Sequence, residues 1–246
     1  MKRYYLIACE IMREEVAVCC ENIDTLVDVK LMSGDLHEWK TPEMQSALQA
    51  EIDSIDTTKY DAILLGYGLC SNGIETLSAP IPLVVPKVHD CIALFMGSHQ
   101  RYQTYFDNNG GTFYQSPGWL EKDIDGDNAL KTTAQALGLL KNKEEYIQKY
   151  GEKRGTYLYE ALGGWESHYQ QVTYIDTVTK NADYYKESTK KMAERHQWKY
   201  DEIPGDTRLI FQLLNGAWNP EEFLIVPPNQ KIIPSYDEEI IAYQDA

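Results

Sequence analysis

Short apolar runs recur in the first half of the chain, separated by longer segments whose apolar residues lie three or four positions apart. The first pattern predicts buried parallel strands and the second predicts helices that cover them. One helix begins at Thr41-Pro42, because threonine favours the cap and proline the first turn. Its apolar face consists of Met44, Leu48, Ile52 and Ile55. The predicted strands are Tyr4–Ala8, Val27–Met32, Asp61–Leu65 and Ile81–Val85, with further helices over 10–21 and from Ile92 to about Phe106.

The second half of the chain has a weaker pattern. A polar, amphipathic stretch over 181–196 predicts a surface helix, and a further helix runs from Asp206, its cap, to Gly216, which ends it. A long segment, about 128–171, predicts interrupted helices. The predicted strands are Thr112–Gln115, Val172–Ile175, Trp198–Glu202 and Phe223–Val226.

Repeated strand–helix–strand units indicate the α/β class, with mainly parallel sheets flanked by helices. We interpret the chain as a single domain over 1–246. Its pattern is compatible with two Rossmann-like lobes, a cysteine-bearing lobe over 1–110 and a second lobe over 111–246 that contains the helical insert.

Composition and charge narrow the classes of function. The 246 residues carry a net charge of −15, and a surface this acidic repels phosphate backbones and anionic lipids. We therefore expect no nucleic-acid partner and no membrane partner. The first apolar stretch reaches Glu10 and Arg13 too early for a signal peptide. Together with five irregularly spaced cysteines, this favours a cytoplasmic protein whose cysteines serve a metal or a reaction.

Three of the cysteines follow predicted strands. Cys9 comes directly after the first strand, and Cys70 and Cys91 follow the third and fourth strands by a few residues. The carboxyl ends of parallel strands meet at one edge of a sheet, which is where open α/β folds bind ligands. Three thiolates at one edge predict a shared metal site, and thiolates favour zinc or an iron–sulfur cluster. Cys19 and Cys20 lie within a predicted helix and are interpreted as structural.

The sequence around these cysteines supplies further candidates. Gly66, Gly68 and Gly73 surround Cys70 and would let the backbone approach a bound group. His89 lies two residues before Cys91, where it would be either a fourth ligand or a proton donor beside the metal. Lys87 would attract an anionic substrate. We expect His99, His168 and His196 to be solvated.

Two candidates come from other parts of the chain. His37 follows the second predicted strand, so it would reach the same edge of the sheet. Trp119 follows the turn Ser116-Pro117-Gly118 and would form part of the wall of a binding cleft. Its alternative role is core packing.

The same segments resemble a known family. The runs Ala8-Cys9-Glu10, Leu65 to Gly73 and Pro86 to Leu94 are similar to the hallmarks of a family catalogued as a domain of unknown function, number sixteen thirty-eight. Ser116 to Trp119, Gly205-Asp206 and Phe223 to Pro228 extend the resemblance over nearly the whole chain. Members commonly have glycine where this chain has Glu10 and Ser71, which argues against a chemical role for those two side chains.

The resemblance implies a setting for the metal site. Genes of the family often accompany corrinoid-dependent methyltransferases in anaerobic bacteria and archaea, which implies a role in one-carbon metabolism. The expected function is a metal centre, [4Fe–4S] or zinc, held by three cysteines with an open position for a small-molecule substrate. The alternatives are a non-catalytic corrinoid- or metal-binding accessory protein, and a structural zinc site closed by His89. A homo-oligomer is compatible with the sequence.

Overall fold

A computed structural model describes residues 1–38, 41–122, 143–162, 169–177, 181–235 and 237–245. The chain divides into two compact units. Unit 1 comprises Met1–Thr104 and Pro204–Ala246, and unit 2 comprises Tyr105–Ile203. Residues 204–246, assigned from sequence to the second lobe, thus lie in unit 1. The reason is physical: the apolar strand near the C-terminus completes the first sheet.

Unit 1 is built on a five-stranded sheet whose strand order is β2-β1-β3-β4-β8. The first four strands are parallel, and β8 pairs antiparallel with β4 at one edge. The predicted α/β class with mainly parallel sheets is therefore confirmed. The strands are β1 (Arg3–Cys9), β2 (Leu26–Met32), β3 (Ala62–Gly66), β4 (Leu83–Pro86) and β8 (Phe223–Val226).

The central strands β3 and β4 consist entirely of buried residues, as the continuous apolar runs predict for strands covered on both faces. The strand order reverses between β1 and β3, because the chain continues from β1 to β2 on one side and resumes at β3 on the other. The helices that begin in unit 1 are α1 (Arg13–Cys20), α2 (Thr41–Asp53), α3 (Cys91–Met96), α4 (His99–Asn108) and α9 (Arg208–Asn215).

Unit 2 contains a second sheet of order β5-β6-β7, in which β5 and β6 are parallel. Phe113, Val172, Met192 and Ala193 form one buried cluster of this unit, and Leu120, Tyr174 and Tyr185 form another. Its strands are β5 (Thr112–Gln115), β6 (Gln171–Asp176) and β7 (Lys199–Pro204). Its described helices are α5 (Pro117–Lys122), α6 (Lys143–Tyr150), α7 (Glu152–Leu162) and α8 (Ala182–His196).

Several boundaries differ from the prediction. The helix predicted from Ile92 to Phe106 is two helices, because Gly97 adopts a left-handed conformation (φ 71°) that ends α3. A side chain at this glycine would overlap Asp206, whose atoms lie within 2.8 Å of the position of a Cβ. A C-terminal hairpin of β9 (Gln230–Pro234) and β10 (Ile241–Asp245) was not predicted. The predicted helical insert lies partly outside the described residues.

Among the described residues, every helix is too short or too polar to span a bilayer.

Candidate metal centre

The three candidate cysteines follow three strands that are neighbours in the sheet. Cys9 is the last residue of β1, Cys70 lies beyond the end of β3, and Cys91 is the first residue of α3 after β4. Because β3 lies between β1 and β4 and all three are parallel, the cysteines approach the carboxyl edge of one sheet. This edge flanks the point at which the strand order reverses, where open α/β sheets bind ligands.

The segments that follow β3 and β4 are joined by main-chain hydrogen bonds. The amide of Leu69 donates to Val88 O at 2.9 Å, and the amide of Cys70 donates to His89 O at 2.8 Å. Gly68 makes this approach feasible, because a Cβ there would lie 2.7 Å from the amide nitrogen of Asp90. The two cysteine-bearing segments are thus held side by side.

Cys70 begins a turn of left-handed backbone. Cys70, Ser71 and Asn72 have φ angles of 46°, 53° and 66°. For residues other than glycine, each such conformation costs about 1–3 kcal/mol and persists only when the surroundings hold it, most often at functional sites. We refer to residues 70–72 as the left-handed turn.

Helix α2 holds the left-handed turn from one side. Gln45 Nε2 donates to Asn72 O at 2.9 Å, and Thr41 Oγ1 donates to Ser71 O at 3.4 Å. Gly73 follows the turn directly, and a Cβ there would meet the sulfur of Met44 at 2.4 Å. The conformation of the Cys70 segment therefore depends on contacts with α2 that lie outside the segment.

The thiol of Cys70 is strongly affected by its surroundings. Burial is the main cause that raises its pKa to about 12, and the carboxylate of Asp90 raises it further. A hydrogen bond from the amide of Gly68 acts in the opposite direction. Without a metal, this thiol is protonated at neutral pH. All five cysteines are thiols rather than disulfides.

Tyr67 lies within electrostatic reach of all three cysteines. Its side chain is buried, and burial raises the pKa of the phenol far above its usual range. Cys9, Cys70 and Cys91 each raise this pKa further, as does Glu10. The phenol of Tyr67 is therefore a buried group on the segment that follows β3, between the cysteine-bearing strand ends. Tyr67 was not predicted from the sequence, since its only signal was its place between two glycines after a buried strand.

Asp90 fixes the start of α3. Its carboxylate accepts hydrogen bonds from the amides of Ile92 (3.0 Å) and Ala93 (3.4 Å), as expected of a helix cap. Burial raises the pKa of Asp90, while these amides and a hydrogen bond from Tyr102 act against that rise. The cap sets the backbone position of Cys91, which is 7% exposed.

His89 is exposed and lies against a second histidine. The ring centroids of His89 and His99 are 5.2 Å apart in an edge-on arrangement. Burial and the charge of His89 both lower the pKa of His99, and His99 Nδ1 is buried without a hydrogen-bond partner among the described residues. The expectation that His99 is solvated is therefore wrong, because α4 begins close to the segment of His89. His196 is also half-buried and stacks on Trp198.

Two charged side chains near the cysteines have partners of their own. The ammonium group of Lys87 pairs with Glu239, and the side chain of Lys87 is 11% exposed. The carboxylate of Glu10 accepts a hydrogen bond from the amide of Gly34 at 2.8 Å. This bond ties the segment after β2 to the end of β1. A catalytic role for Lys87 stays a prediction, and it would require exchange of Glu239 for a substrate.

The structure describes the remaining candidate residues to different extents. A Cβ at Gly66 or at Gly68 would lie less than 3 Å from backbone or side-chain atoms of other residues. Close packing therefore accounts for glycine at both positions. His37 lies in a 3-10 turn directly after β2, and its side chain is outside the described residues. Trp119 lies on α5 in unit 2 and is half-buried. Roles for His37 and Trp119 in binding stay predictions.

The three cysteines have the chemistry of a metal site but not, in their present positions, its geometry. Three thiols are the donor set that zinc and iron–sulfur centres prefer. Within the described ranges, however, no three His, Cys, Asp or Glu side chains are arranged so that they could hold one ion. The donors are therefore suitable, whereas their present positions do not form a ready coordination site.

Comparison with known proteins identifies a family and nothing more specific. A family model described as "Protein of unknown function (DUF1638)" matches residues 31–214, which confirms the resemblance seen in the motifs. The matched range contains Cys70 and Cys91 and begins after Cys9. No curated protein and no solved structure matches the chain.

Proposed function

This chain belongs to the DUF1638 family of proteins of unknown function, and we propose that it holds a metal centre through Cys9, Cys70 and Cys91. The observation that carries the proposal is that each of the three cysteines lies at or shortly beyond the carboxyl end of a parallel strand. Their strands are neighbours, and the edge they share is the usual ligand-binding edge of such a sheet.

The donor set favours zinc or a [4Fe–4S] cluster over magnesium or calcium. When bound, a centre with three protein ligands supplies an open coordination position for a substrate. The thiols must come closer together than they are without metal, because no ready site exists among the described residues. Metal binding is thus proposed to be coupled to movement of the cysteine side chains.

The residues around the cysteines have distinct proposed roles. Burial keeps Cys70 protonated, so binding of a metal must release its proton, and the affinity for metal should rise with pH. Asp90 holds the start of α3 and thereby the backbone of Cys91. The exposed imidazole of His89 lies beside the cysteine segments, and we assign it the transfer of protons between the site and solvent.

We propose anaerobic one-carbon metabolism in the cytoplasm as the setting. A small-molecule substrate or a corrinoid methyltransferase system is the proposed partner, as the family resemblance implies. The odd number of cysteines and their irregular spacing support a reducing compartment. The net charge of −15 argues against nucleic acid.

Metal analysis of protein purified without oxygen tests the proposal. We expect about one centre per chain in the parent protein and its loss in Cys70→Ser, because loss of one thiolate leaves too few ligands. Visible absorbance separates an iron–sulfur cluster from colourless zinc. Retention should fall as the pH is lowered, because the ligand is the thiolate.

Cys20→Ser is the matched control. Cys20 is half-buried on α1 and away from the strand ends, so its loss should leave the metal content unchanged. The proposal is wrong if Cys70→Ser and the parent protein contain equal amounts of metal.

A further inference from the structure

Strand β2 is an outer strand of the unit 1 sheet and, among the described residues, has a neighbouring strand on one side only. It pairs with β1 along all seven of its residues. Leu26 is 51% exposed and Val29 is 43% exposed. An outer strand presents a row of main-chain donors and acceptors that another strand can pair with, unless charge, proline or short length prevents it.

The other outer strands in the described part of the chain are all shorter than the seven residues of β2, and some have further protection. The opposite edge of the same sheet is β8, which has four residues and is followed by Pro227 and Pro228. In unit 2, β7 has six residues and ends at Pro204. Strand β2 has no proline, and its sequence Leu-Val-Asp-Val-Lys-Leu-Met contains one acidic and one basic residue. This edge is therefore suited to pairing rather than protected from it.

We propose that β2 pairs antiparallel with β2 of a second copy of this chain, about a twofold axis at Val29. The two sheets then become one continuous ten-stranded sheet. In this register Asp28 of each copy faces Lys30 of the other. Val27 faces Leu31 and Val29 faces Val29 on one side of the sheet, and Leu26 faces Met32 on the other. Each cross-strand pair is then either apolar or of opposite charge, and such pairs contribute about 0.2–1 kcal/mol each.

Charge favours this register over the other registers that have a twofold axis. A twofold axis perpendicular to the sheet keeps each side chain on its own face, so the residue at the axis must face its own copy. An axis at Asp28 would bring two aspartates together, and an axis at Lys30 would bring two lysines together. Like charges directly opposite one another destabilise a strand pair. The axis at Val29 is the one that sets aspartate against lysine.

Asp28 and Lys30 are available for these contacts. One carboxylate oxygen of Asp28 accepts from Arg3 and from the hydroxyl of Tyr60, each at 2.7 Å, and 42% of the side chain is exposed. Lys30 lies 3.5 Å from Glu51, a long ion pair, and 48% of its side chain is exposed. Both groups can therefore reach a second copy while keeping their present neighbours.

Sedimentation equilibrium over a range of concentrations tests the pairing. We expect the parent protein to dimerise and Val29→Lys to raise the dissociation constant at least about tenfold, because two lysines would meet at the axis. Val18→Lys is the matched control, since Val18 is a 50% exposed valine on α1 away from the strand. It should leave the dissociation constant unchanged. Circular dichroism verifies that the variants are folded.

Lys30→Glu is a second variant in case Val29→Lys does not fold. It places a carboxylate opposite Asp28 of the other copy, where the parent protein has an ammonium group, and should also weaken the dimer. A parent protein that is monomeric at all concentrations overturns the proposal. So does a dimer that Val29→Lys or Lys30→Glu, when folded, leaves as tight as the parent. The metal content is expected to be the same in all these variants, so the outcome does not depend on the proposed metal centre.

Discussion

The strand ends of the two sheets use polar side chains in opposite ways. In unit 2, Lys186 lies between Asp176 and Glu202, with both nitrogen–oxygen distances at 2.7 Å. In unit 1, Cys70 lies at the start of the left-handed turn, with a thiol whose pKa burial raises to about 12. The first arrangement is a lysine paired with two carboxylates of the protein itself. The second places an uncharged thiol on a backbone conformation that costs free energy.

The difference indicates where a ligand is to be expected. Ion pairs such as those of Lys186 use their donors and acceptors within the protein, so they stabilise unit 2 modestly and leave little for a ligand. Left-handed backbone at residues other than glycine does not itself stabilise the fold. Such backbone is maintained where it orients a functional group, which makes the left-handed turn the better candidate for function.

The largest effect is expected from Gly68→Ala in unit 1. The added methyl group would lie 2.7–2.9 Å from main-chain atoms of Val88 and Asp90, which cannot move without separating the two cysteine segments. We expect a loss of about 3 kcal/mol in the free energy of unfolding, measured by urea denaturation, and loss of metal as well.

Gly110→Ala in unit 2 is the control for that variant. Apart from its chain neighbours, no described residue has an atom within 4 Å of the position of a Cβ at Gly110, so the free energy of unfolding should change by less than about 0.5 kcal/mol. If the two variants are equally stable, the segments after β3 and β4 are not packed as described.

A smaller effect is expected from Lys186→Met in unit 2. Removing the ammonium leaves Asp176 and Glu202 as neighbouring carboxylates, which repel each other. Because Lys186 is partly exposed and solvent screens the charges, we expect a loss of about 1 kcal/mol in the free energy of unfolding. The metal content should stay that of the parent protein, since this cluster is assigned a structural role.

Lys191→Met serves as the control on the same helix. Lys191 is 67% exposed and 4.0 Å from Glu187, so its removal should have no measurable effect on stability. If Lys186→Met instead lowers the metal content while the protein stays folded, the contrast between the two units is wrong.

Most of the fold could be predicted from sequence for identifiable reasons. The runs that form β3 and β4 are apolar throughout, and such runs have few alternatives to a buried parallel strand. The break at Gly97 was missed, because an isolated glycine within a helical pattern is also tolerated. The place of β8 in the unit 1 sheet was not predicted, because it depends on pairing with β4, which is distant in the sequence. The periodicity of apolar residues carries no information about such pairing.

The candidate site was predictable only in part. The position of each cysteine after a strand identified the segments, because parallel strands bring their carboxyl ends to one edge. The left-handed turn could not be foreseen, since Cys70 and Ser71 rarely adopt positive φ and only Asn72 has a preference for it. The half-buried position of His99 was missed because its neighbours in sequence are polar, whereas its contact with His89 joins two different segments.

The smallest predicted effect concerns Gln45, the side chain that holds the left-handed turn from α2. Gln45→Met keeps the length of the side chain and removes the hydrogen bond to Asn72 O. We expect a loss of about 0.5–1 kcal/mol in the free energy of unfolding, as for one partly buried hydrogen bond. Because the turn is held in a costly conformation, the same loss should favour its local opening. Alkylation of Cys70 in the metal-free protein, followed by mass spectrometry, should then be about two- to fivefold faster.

Gln49→Met is the control that distinguishes local opening of the left-handed turn from a general loss of stability. Gln49 lies on the same helix, donates to Ser78 O at 3.0 Å and accepts from Ser78 N at 3.1 Å, and makes no described contact with the left-handed turn. Its loss should lower the free energy of unfolding by at least as much as Gln45→Met. Alkylation of Cys70 should nevertheless proceed at the parent rate, since the turn itself is untouched. If both variants accelerate alkylation equally, Cys70 is exposed by global unfolding, and the left-handed turn is then not the element that controls access to its thiol.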